Sequence, residues 1–271
     1  MVNYTPTCLK DALKLYAKTD VIPYAGGTDL MLHGKDDTTF MFLHKISEMK
    51  NITEDAEYIR FGAACTFTEI INNSLTPKIL KDALSEIAAP AIRNLGTMGG
   101  NIANGSPKAD SALVLFTCCA KLRIASCDKE RIIPIKEFYK SRKELDLASG
   151  ELIVEILVPK TGLDNYYYKK VGARGALAIS RVSFAGIMDI KDGRILNCST
   201  SFGAVSDVVI CREDIDALFI GKTIEEAKLV KDDYIKAFSE AIVPIRGRVS
   251  AEYRKSVCVN LLKDFLHTMG I

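Results

Sequence analysis

No segment of this chain constrains its fold more than residues 94–110, which read NLGTMGGNIANGSPKAD. Gly96, Gly99, Gly100 and Gly105 fall here together with Thr97, Asn101, Asn104 and Ser106. Glycine lets the backbone turn left-handed and clears side chains from its surface. The hydroxyls and carboxamides add a dense set of hydrogen-bonding groups. A plain exposed connector would be polar throughout. Here Ile102 and Ala103 break the polarity, and the apolar run Ser111–Ala120 follows at once. The segment Gly96–Asp110 is therefore expected to wrap a ligand rich in acceptors and negative charge, such as a diphosphate. Asp110 adds a carboxylate suited to ribose hydroxyls.

A shorter loop, Ala25-Gly26-Gly27-Thr28-Asp29, follows directly on a strand-like stretch, Val21–Ala25. Adjacent glycines can turn successive N–H groups inward to meet an anion, and Thr28 adds a hydroxyl. By itself this loop reads equally well as a tight turn or as a phosphate cradle. Two common nucleotide motifs are missing. No G-x-G-x-x-G follows a strand, so a Rossmann site is not supported. The Gly34-Lys35 step lacks the Walker pattern, because position 29 is Asp29 and Lys35 is followed by Asp36.

Helix and strand signals alternate without a regular βαβ rhythm. Leu9, Ala12, Leu13 and Tyr16 recur at helical spacing behind Thr7. Short strands are expected at Val21–Ala25 and Phe40–Leu43, making residues 1–50 a small β-α-β unit. Tyr58–Phe61 reads as a strand, and Thr66 with Glu69 forms a capping box. Thr76-Pro77 opens a helix with Leu80, Ala83, Leu84 and Ile87 on one face, ended by Pro90. Strands follow at 122–124, 132–135 and 152–158. Beyond a linker near Pro159–Asn165, Val182–Ile190 and Arg194–Ala204 read as strands joined by the Asp192-Gly193 turn. Thr223 and Glu226 form a second capping box. Tyr253, Val257, Leu261, Leu262 and Phe265 mark a closing helix. The order predicts an α+β protein of three lobes, 1–50, 51–160 and 165–271. The first two would jointly hold a ligand, and the third would carry a three-stranded sheet with helices.

Composition excludes several function classes. The net charge is +2 and no basic run occurs, which argues against a nucleic-acid surface. No apolar stretch approaches the roughly 20 residues of a membrane span. Met1-Val2-Asn3-Tyr4 lacks the start of a signal peptide, so a cytoplasmic protein is expected. The cysteines Cys8, Cys65, Cys118, Cys119, Cys127, Cys198, Cys211 and Cys258 form no C-x-x-C pair and fit no zinc or iron–sulfur spacing. They read mostly as reduced, buried small hydrophobes. His33, His44 and His267 are scattered and read as surface or packing residues. No catalytic constellation and no metal site is expected in this chain.

Ala25–Leu30 and Ile92–Asp110 (IRNLGTMGGNIANGSPKAD) resemble the paired FAD loops of flavoprotein subunits in the xanthine dehydrogenase and carbon monoxide dehydrogenase family of molybdenum hydroxylases. Two later stretches are similar as well. Tyr168–Ser180 (YKKVGARGALAIS) resembles the family's lysine-and-arginine strand, and Arg248–Leu266 its closing helix. The resemblance covers the whole chain in matching order. It implies the two-lobed FAD-binding domain of the vanillyl-alcohol-oxidase (PCMH) type, plus a C-terminal α+β domain with a three-stranded antiparallel sheet.

The resemblance also assigns residues. Ile22, Pro23, Tyr24, Ala25, Gly26, Gly27, Thr28 and Asp29 would face the pyrophosphate of FAD. Thr97, Gly99, Gly100 and Asn101 would continue that contact, with Ser106 further along the loop. Asp110 would meet the adenosine-side ribose, and Ile153 would make an apolar contact. Lys170 would lie near the flavin, where it could stabilise charge on the reduced ring. Arg174 lies on the same strand. Ile87 stands where the family often has an aromatic residue, and the inserted cysteine cluster of some members is missing.

The implied role is electron transfer. Hydroxylation would occur on molybdopterin in a large partner subunit. A small subunit's 2Fe-2S clusters would pass electrons to FAD here, and an acceptor such as NAD would receive them. The assembly would be a dimer of heterotrimers. Two other readings stay open on the residues alone: a stand-alone flavin oxidoreductase of the same fold, and a non-redox nucleotide-binding regulatory module.

Overall fold

The computed structural model describes residues 2–32, 37–245, 247 and 249–271. His33, the Gly34-Lys35-Asp36 step and Arg248 lie outside the described residues. Packing gathers the chain into two units that interleave along the sequence. The first takes the chain up to Thr76, then Ala88–Gly105 and Cys119–Pro159; the second takes Pro77–Ile87, Ser106–Cys118 and Lys160–Ile271.

In the first unit, β1 (Ile22–Tyr24) and β2 (Phe40–Phe42) pair in parallel, with Ile22 opposite Phe40. The helix of this region, Leu9–Lys18, precedes β1. The helix thus lies ahead of the two expected strands, between β1 and Tyr4, which bridges Met41 of β2 in parallel; the described part of the β1–β2 connection carries only the 3-10 turn Leu30–Leu32. The main sheet uses β3 (Ile52–Glu54), β4 (Tyr58–Gly62), β5 (Lys121–Ala125) and β6 (Glu130–Pro134). A small hairpin, β7 (Tyr139–Ser141) and β8 (Glu144–Leu145), lies apart, and β9 (Leu152–Pro159) completes the main sheet in the order β3-β4-β9-β5-β6, all antiparallel.

The central strand β9 is apolar on both faces: Leu152, Ile153, Val154, Ile156, Leu157 and Val158 are all buried. Its one charged residue, Glu155, is met from the neighbouring strands by Arg60 at 2.9 Å and Arg123 at 3.1 Å. The β3–β4 turn is closed by Asp55, which accepts from the N–H groups of Glu57 and Tyr58, both at 2.8 Å.

The second unit holds β10 (Tyr166–Val171), β11 (Val182–Lys191), β12 (Arg194–Gly203) and β13 (Ile210–Cys211), antiparallel and in chain order. The sheet therefore has four strands where three were expected. β13 pairs through only two residues, too short to carry an alternation readable in sequence. Asp192 and Gly193 are both left-handed, with φ 51° and 74°, as the two-residue hairpin turn between β11 and β12 demands. Phe184 and Phe202 on one face pack against Phe265 and Phe238 of the helices Ala251–Thr268 and Lys231–Ala241. The opposite face is covered by the helix Asp110–Thr117, buried along its whole length. Leu113 of that helix sits against Gly203. Among the described residues no helix is long and apolar enough to cross a membrane.

Candidate functional site

The first unit contains a cleft of about 360 Å³ that both glycine-rich loops line. β1 delivers the chain into Ala25–Asp29, where Gly27 adopts φ 68°, a left-handed turn that a side chain would oppose. None of the amides of Ala25, Gly26, Gly27, Thr28 and Asp29 donates to an acceptor among the described residues. Unpaired main-chain donors of this density along a cleft are the usual make-up of an anion nest. Gly26 fixes how the loops meet. A Cβ there would overlap the carbonyl oxygen of Leu95 and lie 3.1 Å from the Cα of Gly96. The backbones of the two loops therefore touch, and only glycine allows it.

The second loop is not irregular throughout. Met98–Ala103 forms a short helix capped by Thr97, whose buried hydroxyl accepts from the Gly100 N–H at 3.1 Å. Its first amides are already engaged: Met98 N–H donates to Cys65 O at 3.1 Å and Gly99 N–H to Ala63 O at 2.9 Å. A Cβ on Gly99 would come within 2.6 Å of that Ala63 oxygen. Gly99 is thus a packing glycine, whereas Gly100 is exposed at the cleft. The first loop offers its backbone amides to a ligand, and the short helix of the second loop braces it.

Tyr16, Met49, Phe67 and Leu147 complete the walls with Ile153 of β9. Sequence reasoning did not single these out as site residues. Tyr16 was visible only as part of a helical stripe, and Phe67 follows directly on the first capping box. The charged lining residues are Asp29 and Glu151; no Lys, Arg or His lines the cleft among the described residues. Glu151 is gripped from behind by Arg131, at 3.0 Å through Nε and 2.8 Å through Nη2. That pairing, helped by the Ala148 N–H, holds the Glu151 carboxyl below its ordinary range.

Of the residues expected to contact a cofactor, Pro23, Ala25, Gly26, Gly27, Thr28, Asp29, Thr97, Gly99, Gly100, Asn101 and Ile153 line this one cleft. Ile22 is exposed on β1, and Tyr24 packs edge-on against Phe40 and Phe42. Ser106, Asp110 and Lys170 belong to the second unit. There Lys170 Nζ lies 2.8 Å from Asp110 and donates to Glu86 O at 2.9 Å, while Ser180 Oγ donates to Asp110 at 2.6 Å. Both side chains of the ion pair are buried, which only mutual pairing makes tolerable. Arg174 folds back on its own loop, donating to Ala176 O and Leu177 O.

Other chemistry-bearing residues do not gather. No metal-binding group of His, Cys, Asp and Glu occurs among the described residues. His44 and His267 are exposed. Cys65, Cys118, Cys198 and Cys258 are buried as expected. Cys119, read as part of an apolar segment, is exposed just beyond the end of its helix, as is Cys127 on a turn.

The family described as the FAD binding domain in molybdopterin dehydrogenase matches residues 2–161. The CO dehydrogenase flavoprotein C-terminal domain matches residues 166–269. The xanthine dehydrogenase FAD-binding subunit of Escherichia coli O157:H7 is 34% identical over 215 residues, covering 74% of this chain and 73% of that protein. The glyceraldehyde dehydrogenase medium chain of Sulfolobus acidocaldarius is 28% identical over 260 residues, covering 92% and 91%. Among solved structures, quinoline 2-oxidoreductase from Pseudomonas putida 86 superposes with a TM-score of 0.88 at 22% identity, over 100% of this chain and 97% of that one. That likeness speaks for the fold.

Proposed function

Because the chain belongs to the family of FAD-binding domains of molybdopterin dehydrogenases, we propose that it is the electron-transfer subunit of such a complex and that the cleft of the first unit holds the FAD diphosphate. The observation that carries this reading is the row of unpaired amides from Ala25 to Asp29, pressed against the Leu95–Gly96 backbone. FAD, when bound, supplies a centre that takes up electrons singly and gives them up as a hydride.

The chain's own residues bind, orient and shield. The first-loop amides and the Thr28 hydroxyl hold the diphosphate. Thr97 and the short helix behind it keep that loop in place. Ile153 and Phe67 present apolar walls that exclude water. Asp110 and Lys170 enter the proposal as the residues that the resemblance assigns to the ribose and to the flavin. Electrons would arrive from a 2Fe-2S partner subunit, with hydroxylation on molybdopterin in a large subunit, and leave to an acceptor such as NAD. Relatives named for substrates as different as xanthine and glyceraldehyde fit a subunit that never touches the hydroxylated molecule. We place the complex in the cytoplasm.

Purification tests this directly. The chain should be yellow with flavin absorbance, and should co-purify with an iron–sulfur protein and a molybdopterin protein. A colourless chain that binds only adenine nucleotides would overturn the flavin reading. A flavin-loaded chain that turns over a substrate rapidly by itself would overturn the subunit reading.

A further inference from the structure

The cleft poses an electrostatic problem that its lining does not solve. A diphosphate is anionic, yet the lining side chains with charge are Asp29 and Glu151, and no cation among the described residues joins them. The charge that offsets Glu151 sits one layer back. Arg131, on β6, forks onto Glu151 through Nε at 3.0 Å and Nη2 at 2.8 Å. The same guanidinium donates to the Asp146 carbonyl oxygen at 2.6 Å and pairs with the Asp146 carboxylate. Glu151 also accepts from the Ala148 N–H at 2.9 Å. One guanidinium thus ties both ends of the segment 146–151, which carries Leu147 and Glu151 into the cleft wall and leads directly into Leu152 and Ile153.

We propose that Arg131 is a positioning residue for the anionic cofactor: from behind the wall it neutralises Glu151, so that a cleft without a cationic lining accepts a diphosphate. The inference rests on the flavin reading of the cleft. Arg131 is not among the residues that line the cleft; it would act through Glu151. Unmasking that carboxylate would set a full negative charge in the wall facing the phosphates, a repulsion that salt screens. A lysine would restore the charge without the planar two-point fork.

FAD titration of the flavin-free chain, followed by flavin fluorescence at low and high salt, tests this. Wild-type affinity should change little with salt. Arg131→Met should weaken binding about tenfold or more at low salt, with much of the loss recovered at high salt. The double variant Arg131→Met/Glu151→Gln should regain most of the affinity, and Arg131→Lys should fall between. A tenfold loss indifferent to both salt and the second substitution would reduce Arg131 to a structural strut and overturn the proposal, as would an Arg131→Met chain that binds like wild type. If Arg131→Met does not fold, Glu151→Gln alone decides: it should bind FAD at least as tightly as wild type, and a marked loss would sink the idea. A wild-type chain that binds no FAD at any salt fails the flavin reading instead.

Discussion

A methyl group at Gly26 would overlap the carbonyl oxygen of Leu95, which is main chain and has no rotamer into which to retreat. Gly26→Ala should therefore push the two loops apart and weaken FAD binding by roughly an order of magnitude or more, while global stability falls little. Gly175→Ala, where nothing lies within 4 Å, is the matching control and should bind normally in the same titration. Asp55 gives a second expectation. The N–H groups of Tyr58 and Glu57, and then Arg60, lower its carboxyl from 3.8 to about 2. A depressed carboxyl contributes stability above its ordinary value and loses it as pH falls through the folded value. The melting-temperature gap between wild type and Asp55→Asn should hold steady near neutrality and close as pH drops from 3.8 to about 2. A gap unchanged across that window would remove the carboxylate's charge from the account.

Among the elements, the short helix Met98–Ala103 depends on its cap. Thr97→Ala should cost about 1 kcal/mol in urea unfolding, and Thr97→Ser should restore most of it. This helix also shows where sequence reading stops. The capping boxes Thr66/Glu69 and Thr223/Glu226 were legible because both halves lie within four residues, and both form as read. In sequence Met98–Ala103 reads as part of a glycine-rich loop, and two glycines oppose a helix by about 1 kcal/mol each. It forms because its first amides find Cys65 O and Ala63 O, some thirty residues back in the chain. The same limit applies to the site. Its floor was readable, because close backbone approach leaves glycines in the sequence. Its walls were not, because Tyr16, Met49 and Phe67 look like any core residue. The pairing of Arg131 with Glu151 joins positions twenty apart, with no local pattern to betray it.

At the scale of the whole molecule, the units do not follow chain order. The sheet of the second unit is covered on one face by Asp110–Thr117, which comes from the middle of the sequence. A fragment 165–271, cut where composition suggests a linker, would lose that helix and expose the surface around Gly203 on which Leu113 rests. Such a fragment should aggregate or show poorly dispersed amide resonances, whereas adding residues 77–118 in trans or by fusion should improve both. A well-dispersed spectrum from the bare fragment would mean that the sheet needs no cover.

The grip proposed for the first-loop amides differs in kind from one made of lysines or histidines. A peptide N–H does not titrate across the range in which proteins stay folded, and it cannot be neutralised by a proton or a counter-ion. A preparation of this subunit that must be stripped of its coenzyme will therefore yield to agents that loosen the loops themselves, such as a chaotrope. Shifting the buffer's acidity would leave the hold intact until the fold gave way.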